Sequence, residues 1–176
     1  MPLGILAVQG GYDAHARTLR TLGHEVRLVR YASELEGLDG LVLPGGESTT
    51  MLKVLHRENL GTPLDTFVKS GRPVLATCAG VILSAAEVTA PAQKSFGWMD
   101  IAVTRNGFGR QLDSFEATAD GSDLPLLFIR APRITRCGAE VEVLARFDGE
   151  PILVRQGSVV GATFHPELTP DVRIHE

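Results

Sequence analysis

Cys78 stands where a nucleophile would be useful. It follows the apolar run PVLAT and precedes Ala79-Gly80 and a second apolar segment, so a buried strand is predicted to turn into a helix there. Such a turn pushes a side chain out of the core and places it at a helix N-terminus, where the macrodipole and free N–H groups favour a thiolate. The same N–H groups can hold a developing oxyanion. This is the geometry of a nucleophile elbow, with Ala76 where the usual elbow has glycine.

A histidine and a carboxylate near the end of the chain could complete a catalytic triad. His165 and Glu167 stand two residues apart in TFHPEL, and Pro166 favours an extended backbone at His165. In an extended segment, residues i and i+2 point to the same side, so the carboxylate could orient the imidazole. Cys78, His165 and Glu167 would then act as a Cys-His-Glu triad.

Each of these features also has an ordinary structural explanation. A lone cysteine is more often a small core residue than a nucleophile. The three side chains could bind zinc, although the sequence has no C-x-x-C or H-x-x-x-H pair. The turn PGGES could be an anion-binding nest, or a helix start with Ser48 as the N-cap. The residues alone leave these alternatives open.

The remaining histidines and the second cysteine carry no chemical signal of their own. We expect His15, His24 and His56 to be solvated residues on helix faces or at helix ends, and Cys137 to lie at a strand edge without a role. Two cysteines do not make a disulfide framework, and a reducing cytoplasm fits them.

The composition indicates an ordinary globular protein. The 176 residues are 44% hydrophobic and 22% charged, with a formal net charge of -4, and one domain over residues 1–176 is expected. No basic run is present, so nucleic acid and an anionic membrane are poor partner candidates. The N-terminal segment is predicted to be a core strand rather than a signal peptide, and no stretch is long enough to span a membrane.

The order of the predicted elements indicates an α/β fold. Predicted strands in the first half are Leu3–Gln9, Glu25–Arg30, Gly40–Pro44 and Val74–Thr77. The helices predicted between and after them are Tyr12–Leu22, Ser48–Arg57, Leu64–Ser70 and Ala79–Glu87. This alternation predicts a mostly parallel sheet, with its functional turns at the carboxyl ends of the strands. Hairpin signals then separate Val141–Arg146, Ile152–Arg155 and Val159–Ala162, which predicts an added meander.

Several longer motifs resemble one enzyme family. The chain contains LAVQGGYDAH, LVLPGGESTTM, TCAG, RNGFGRQLDSFE, FIRAP, RQG and FHPELTPDVRIH. Together these resemble, nearly from end to end, the glutaminase subunits of pyridoxal 5′-phosphate synthase, which are class I, triad-type glutamine amidotransferases. The resemblance implies a flavodoxin-like, three-layer α/β domain whose central mixed, mostly parallel sheet has helices on both faces.

The resemblance also implies a role for individual residues. It makes Cys78 the nucleophile, His165 the base and Glu167 the orienting partner of His165, with N–H groups near Gly46 and Ala79 forming the oxyanion hole. The residues implied in binding L-glutamine are Gly46, Glu47, Ser48, Arg105, Ile129 and Arg130. Guanidinium and backbone N–H groups suit the glutamine carboxylate, and the carboxylate of Glu47 would suit its ammonium group.

The implied reaction is hydrolysis of L-glutamine to L-glutamate and ammonia through a cysteine thioester, with no metal or cofactor. The ammonia would pass to a synthase subunit that builds pyridoxal 5′-phosphate, in a cytoplasmic complex expected to hold twelve copies of each subunit. One rival is another Cys-His-Glu amidase or peptidase-like hydrolase of this fold, against which PGGES, Arg105 and Arg130 argue. The other rival is a catalytically silent partner subunit, against which the intact triad argues.

Overall fold

The computed structural model describes residues 2–105 and 114–176, so most of the motif RNGFGRQ lies outside the described residues. The elements up to the predicted nucleophile turn and just past it are β1 (Pro2–Leu6), α1 (Tyr12–Thr21), β2 (Glu25–Val29), β3 (Gly40–Leu43), α2 (Ser48–Arg57), α3 (Gly61–Lys69), β4 (Val74–Thr77) and α4 (Ala79–Ser84). The later strands are β5 (Ala85–Thr89), β6 (Met99–Thr104), β7 (Phe115–Thr118), β8 (Pro125–Phe128), β9 (Arg133–Cys137), β10 (Glu142–Phe147), β11 (Glu150–Gln156) and β12 (Val159–Ala162). Short 3₁₀ turns span Ala32–Leu35 and Pro166–Leu168.

A seven-stranded sheet forms the centre of the molecule, in the order β10-β11-β12-β4-β3-β1-β2. The strands β2, β1, β3, β4 and β12 pair in parallel, whereas β10 and β11 pair antiparallel with each other and β11 with β12. The predicted mixed, mostly parallel sheet with an added meander is therefore confirmed. Because parallel strands end at the same edge, the loops that follow β1, β3, β4 and β12 meet there.

Helices cover both faces of this sheet. On one face, Ala16 and Leu19 of α1 pack against Ile5 and Val42. Leu6 points to the other face and joins the large core formed with α2, α3 and α4, because successive side chains of a strand alternate between faces. The expected three-layer arrangement is thus confirmed. In the part of the chain that the structure describes, no helix combines the length and the apolar character needed to cross a membrane.

An aromatic cluster fixes the β7–β8 hairpin beside the edge where the loops meet. The ring of Phe128 is buried, with its centroid 4.9 Å from that of Phe115 and 6.2 Å from that of Phe164. The backbone N–H of His165 donates to the carbonyl oxygen of Leu127 at 2.8 Å. The segment that follows β12 is therefore held against the end of β8.

The helix after Cys78 is shorter than the sequence predicted. The expected span Ala79–Glu87 is wrong beyond Ser84, because Ala85–Thr89 form β5, which pairs in parallel with β6. The β-branched residues Val88 and Thr89 favour an extended backbone, and Val88 is buried in the core. Strand β9, at whose end Cys137 lies, then completes a small sheet in the order β5-β6-β9.

Candidate active site

Cys78 lies directly between β4 and α4, at a strained turn. Its backbone has a φ of 46° and a ψ of -102°, a region that non-glycine residues rarely adopt. The N–H of Cys78 donates to the carbonyl oxygen of Ala162 at 2.8 Å, which holds the turn in place. A Cβ at Gly80 would overlap the carbonyl oxygen of Leu43, so only glycine lets α4 approach β3 this closely. The turn has the strain expected of a nucleophile elbow.

His165 and Glu167 form the hydrogen-bonded pair that the sequence predicted. Nδ1 of His165 lies 2.7 Å from Oε1 of Glu167, and both residues are buried. The predicted route to this pair is wrong, however: the chain does not stay extended through Glu167 but enters the 3₁₀ turn Pro166–Leu168. His165 itself remains outside the helical region, with a φ of -109° and a ψ of 82°, as a residue before proline prefers.

The pair is held in its charged form. Burial by itself lowers the pKa of His165, but hydrogen bonds and charges from Cys78 and Glu167 outweigh burial and raise that pKa well above its usual value. Burial likewise favours a protonated Glu167, but the hydrogen bond from His165 and the proximity of His15 keep the pKa of Glu167 below its usual value. A protonated imidazole therefore faces the sulfur of Cys78, with an ionised carboxylate behind it.

A cavity of about 320 Å³ opens onto Cys78 and His165. Its lining also includes Gly45, Gly46, Ile129 and Arg130. The sulfur of Cys78 lies 3.9 Å from the carbonyl oxygen of Ile129. A Cβ at Gly45 would stand 2.5 Å from Cε1 of His165, so glycine lets the backbone pass over the imidazole. The cavity has room for a ligand of amino-acid size, with its reacting group beside the sulfur.

Both predicted oxyanion donors flank the nucleophile. Ala79 is the first residue of α4, and the first N–H groups of a helix have no partner within the helix. Cys78 provides no side-chain cap for them. Gly46 lines the cavity, and the preceding carbonyl of Gly45 accepts the N–H of Gly11 at 2.9 Å. The placement of these groups permits the predicted role, which stays a prediction.

The other predicted glutamine ligands lie at the start of α2 rather than among the described residues that line the cavity. Glu47 is the N-cap of α2, and its carboxylate accepts the backbone N–H groups of Thr49 at 3.1 Å and Thr50 at 2.7 Å. The alternative in which Ser48 caps this helix is therefore wrong by one residue. Nη2 of Arg105 lies 3.3 Å from Oε1 of Glu47 and 3.0 Å from Oγ1 of Thr49. Roles of Glu47, Ser48 and Arg105 in substrate binding remain predictions.

The alternative of a zinc site finds no support in the described part of the chain. Within residues 2–105 and 114–176, no group of three or more His, Cys, Asp or Glu side chains is arranged to hold a metal ion.

The structure corrects the placement of His15, which the sequence analysis put on a solvated helix face. Its side chain is fully buried, with Nε2 3.4 Å from Oε2 of Glu167 and Nδ1 2.9 Å from Nε2 of His175. His56 is exposed, as expected. The available signal was the spacing of four residues between His15 and Leu19, which puts both on the apolar face of α1.

Comparison with known proteins identifies the class. Residues 5–176 match the SNO glutamine amidotransferase family, and the chain belongs to that family. It is thus a glutamine amidotransferase, as the motifs implied.

The curated relatives carry a more particular name. The chain is 49% identical over 180 residues to "Pyridoxal 5'-phosphate synthase subunit PdxT" of Koribacter versatilis, a match that covers 100% of this chain and 93% of the relative. A protein of the same name from Corynebacterium jeikeium is 49% identical over 183 residues, covering 100% and 94%. The Thermotoga maritima protein is 45% identical over 180 residues, covering 99% and 96%.

Solved structures support the same fold. A crystal structure of a glutamine amidotransferase superimposes with a TM-score of 0.91 at 43% identity, covering 98% of this chain and 94% of the other. PurLQS from Thermotoga maritima gives a TM-score of 0.71 at 16% identity, covering 98% and 90%, and shows likeness of fold alone.

Proposed function

We propose that this chain is the glutaminase subunit of a pyridoxal 5′-phosphate synthase and hydrolyses L-glutamine in the cavity beside Cys78. The observation that carries the proposal is a cysteine at a strained strand-to-helix turn, facing a buried His165–Glu167 pair. A merely structural cysteine needs neither the strain nor the charged pair. Membership of a glutamine amidotransferase family supplies the substrate class.

In the first half of the reaction, the thiolate of Cys78 attacks the side-chain carbonyl carbon of glutamine. A C–S bond forms, and the carbonyl oxygen takes up negative charge that the N–H groups of Gly46 and Ala79 stabilise. The C–N bond then breaks as His165 gives its proton to the departing nitrogen, which leaves as ammonia. The glutamyl group stays on Cys78 as a thioester.

In the second half, His165 takes a proton from a water molecule as the water oxygen attacks the thioester. The C–S bond breaks, glutamate leaves, and the proton on His165 again faces the sulfur. Glu167 keeps the imidazole in one tautomer throughout, because Oε1 accepts from Nδ1 and leaves Nε2 for the chemistry. Neither half needs a metal or an organic cofactor.

Substrate recognition is assigned to two groups of residues. Gly46, Ile129 and Arg130 contact the cavity directly, so they lie where the bound glutamine would be. Glu47, Ser48 and Arg105 are proposed to hold the amino-acid end of glutamine at the start of α2. The guanidinium group of Arg105 would bind the carboxylate and Glu47 the ammonium group.

The proposed partner of this subunit is a synthase subunit that consumes the ammonia, and the curated relatives are themselves named as subunits of pyridoxal 5′-phosphate synthase. An assembly with twelve copies of each subunit is part of the proposal. We place the enzyme in the cytoplasm, because Cys78 must remain a free thiol and a reducing compartment keeps it so.

The proposal is tested by measuring glutamate release from glutamine by the purified chain, alone and with saturating synthase subunit. Cys78→Ala is expected to lower the rate by at least about a thousandfold. Cys137→Ala, at the half-buried second cysteine, is the matched control and should keep its activity.

A glutamine-like chloroketone provides the second readout, and it should label Cys78 and spare Cys137. Glutamate release that survives in Cys78→Ala with the partner present would overturn the proposal.

A further inference from the structure

A buried row of side chains continues behind the Cys78–His165–Glu167 triad. The ring of His15, on α1, lies on the far side of Glu167 from His165, with Nε2 3.4 Å from Oε2 of Glu167. The other ring nitrogen of His15 lies 2.9 Å from Nε2 of His175. These residues come from widely separated parts of the chain, so the fold, not local sequence, assembles the row.

The buried carboxylate of Glu167 accepts fewer hydrogen bonds than its two oxygens can take. Only 2% of its side chain is exposed, and Oε1 is occupied by His165. Among the described residues, Oε2 has no hydrogen-bond partner of ordinary geometry. A buried ionised carboxylate is costly unless its oxygens accept hydrogen bonds. The side-chain donor that the fold places within reach of Oε2 is Nε2–H of His15.

The contacts of His15 are compatible with one tautomer, in which each of its ring nitrogens has a hydrogen-bond partner. Burial holds the pKa of His15 at about 4, against the raising effect of Glu167, so His15 is neutral and carries one N–H. Nε2 faces Oε2 of Glu167 and, at 3.1 Å, Oγ1 of Thr77, and both of these oxygens can accept a hydrogen bond. Nδ1 must then accept, and the donor is Nε2–H of His175. This leaves Nδ1 of His175 as a bare lone pair, and that buried atom has no hydrogen-bond partner within residues 2–105 and 114–176.

We propose that His15, oriented by His175, is a positioning residue that gives the Glu167 carboxylate its second hydrogen bond and keeps it aimed at His165. The inference rests on the proposed glutaminase function of the triad. His15 touches neither substrate nor the reacting sulfur. It acts through Glu167.

The Glu167 carboxylate depends on a hydrogen bond from His15 more at one stage of the reaction than at another. While His165 is protonated, its positive charge offsets the carboxylate of Glu167. Once His165 has given its proton to ammonia, a buried carboxylate faces a neutral imidazole and needs another donor. A small rotation carries Nε2–H of His15 from Thr77 to Oε2, because both acceptors already lie within 3.4 Å of it.

Few titratable groups surround His15, so few other charges act on its hydrogen bond to Glu167. Among the residues that the structure describes, the titratable groups that face His15 are Glu167 and His165, from the segment after β12, and His175. Strand β4 contributes Thr77, which does not titrate. Removing the N–H of His15 therefore acts on Glu167 and, through it, on His165.

The test uses His15→Leu, which removes both ring nitrogens while keeping an apolar side chain. With saturating synthase subunit, kcat for glutamine hydrolysis should fall about tenfold to a hundredfold with KM little changed, as expected for one lost hydrogen bond to a charged group. His15→Gln, whose amide can place an N–H near the position of Nε2, should recover part of the loss. His56→Leu, at an exposed histidine, is the matched control and should behave like the wild type.

A second readout does not depend on glutamine. In a Cys137→Ala background, the rate of Cys78 alkylation by iodoacetamide is followed against pH in the isolated chain. His15→Leu should move the midpoint of this profile downward by about 1 pH unit, because a Glu167 carboxylate without its second donor holds the proton on His165 more strongly. A purely structural role for His15 would lower thermal stability and leave the midpoint unchanged.

The outcomes separate the two proposals. A folded His15→Leu chain with wild-type kcat and alkylation midpoint overturns the positioning role. If that variant does not fold, His175→Leu decides alone: a smaller shift of the midpoint in the same direction supports the role, and an unchanged midpoint overturns it. A wild-type chain that alkylates at Cys78 yet never hydrolyses glutamine with its partner overturns the proposed function, while the midpoints still decide the role of His15.

Discussion

Two neighbouring strands of the central sheet end in turns that lead into helices, and the two turns treat the helix N-terminus in opposite ways. After β3, Glu47 caps α2 by accepting the N–H groups of Thr49 and Thr50. After β4, Cys78 offers α4 no side-chain cap and holds a φ of 46°. One turn is capped, and the other is strained and uncapped.

The capped helix start stabilises the fold, whereas the uncapped one can bind a reacting ligand. A capped N-terminus satisfies its N–H groups within the chain and stabilises the helix by about 1 kcal/mol. An uncapped one leaves its N–H groups for a ligand, which stabilises a developing oxyanion when the ligand reacts. In this protein the capped start of α2 fixes one wall of the site, whereas the uncapped start of α4 leaves its first N–H groups available for the proposed reaction.

The largest loss of activity is expected for Gly80→Ala, which disturbs the strained turn after β4. The added Cβ would overlap the carbonyl oxygen of Leu43, so the turn at Cys78 must shift. We expect glutaminase activity with the synthase subunit to fall by at least about a hundredfold, because small displacements of a nucleophile have effects of that size. Unfolding should become easier by about 1–3 kcal/mol, measured by urea denaturation.

Gly71→Ala is the control for Gly80→Ala. Gly71 has a φ of +80° but open space around its Cβ position, so the change should cost about 1 kcal/mol of stability and no activity. Normal turnover by Gly80→Ala would show that the close approach of α4 to β3 does not position Cys78.

Arg105→Ala tests whether the capped turn also takes part in binding. If the guanidinium group binds the glutamine carboxylate, kcat/KM should fall about tenfold to a hundredfold, mainly through KM. Arg136→Ala, which removes a surface ion pair with Asp100, is the control and should keep normal kinetics. Near-normal kinetics in both Arg105→Ala and Arg130→Ala would place the carboxylate elsewhere in the cavity.

Glu47→Gln, in the capped turn after β3, should have the smallest effect. That effect is a loss of folding stability that depends on pH. Hydrogen bonds from the Thr50 hydroxyl and from the N–H groups of Thr49 and Thr50 lower the pKa of Glu47 from 4.5 to about 2. Since the folded pKa is lowered, the stabilisation is present above pH 4.5 and is lost as the pH falls toward 2. At pH 7 the variant should be less stable by about 1 kcal/mol or less, because the half-exposed side chain is screened by solvent.

The measurement for Glu47→Gln is urea denaturation of wild type and variant at pH 7 and pH 3. The difference in their free energies of unfolding should be smaller at pH 3. A difference that does not change with pH would mean that the carboxylate charge of Glu47 does not stabilise the start of α2.

The parallel core of the fold could be predicted because its determinants are local. Strand β4 and helix α2 have the predicted bounds, since continuous apolar runs and apolar residues at helical spacing mark them in the sequence. The end of α4 could not be predicted, because its small apolar residues suit either element. Pairing with β6, more than ten residues further along, makes Ala85–Thr89 a strand.

The sequence by itself was enough to predict which side chains form the front of the site. Cys78 at the end of an apolar run and the His-Pro-Glu spacing are local patterns. The structure brings Cys78, His165 and Glu167 together, although through a 3₁₀ turn and not the predicted extended segment. Only the tertiary structure decided what lies behind Glu167. His15 and His175 are 160 positions apart, and their contact depends on α1 and the end of the chain packing against the same face of the sheet. The spacing of His15 and Leu19 puts His15 on the apolar face of α1, but it does not show which side chains pack against that face.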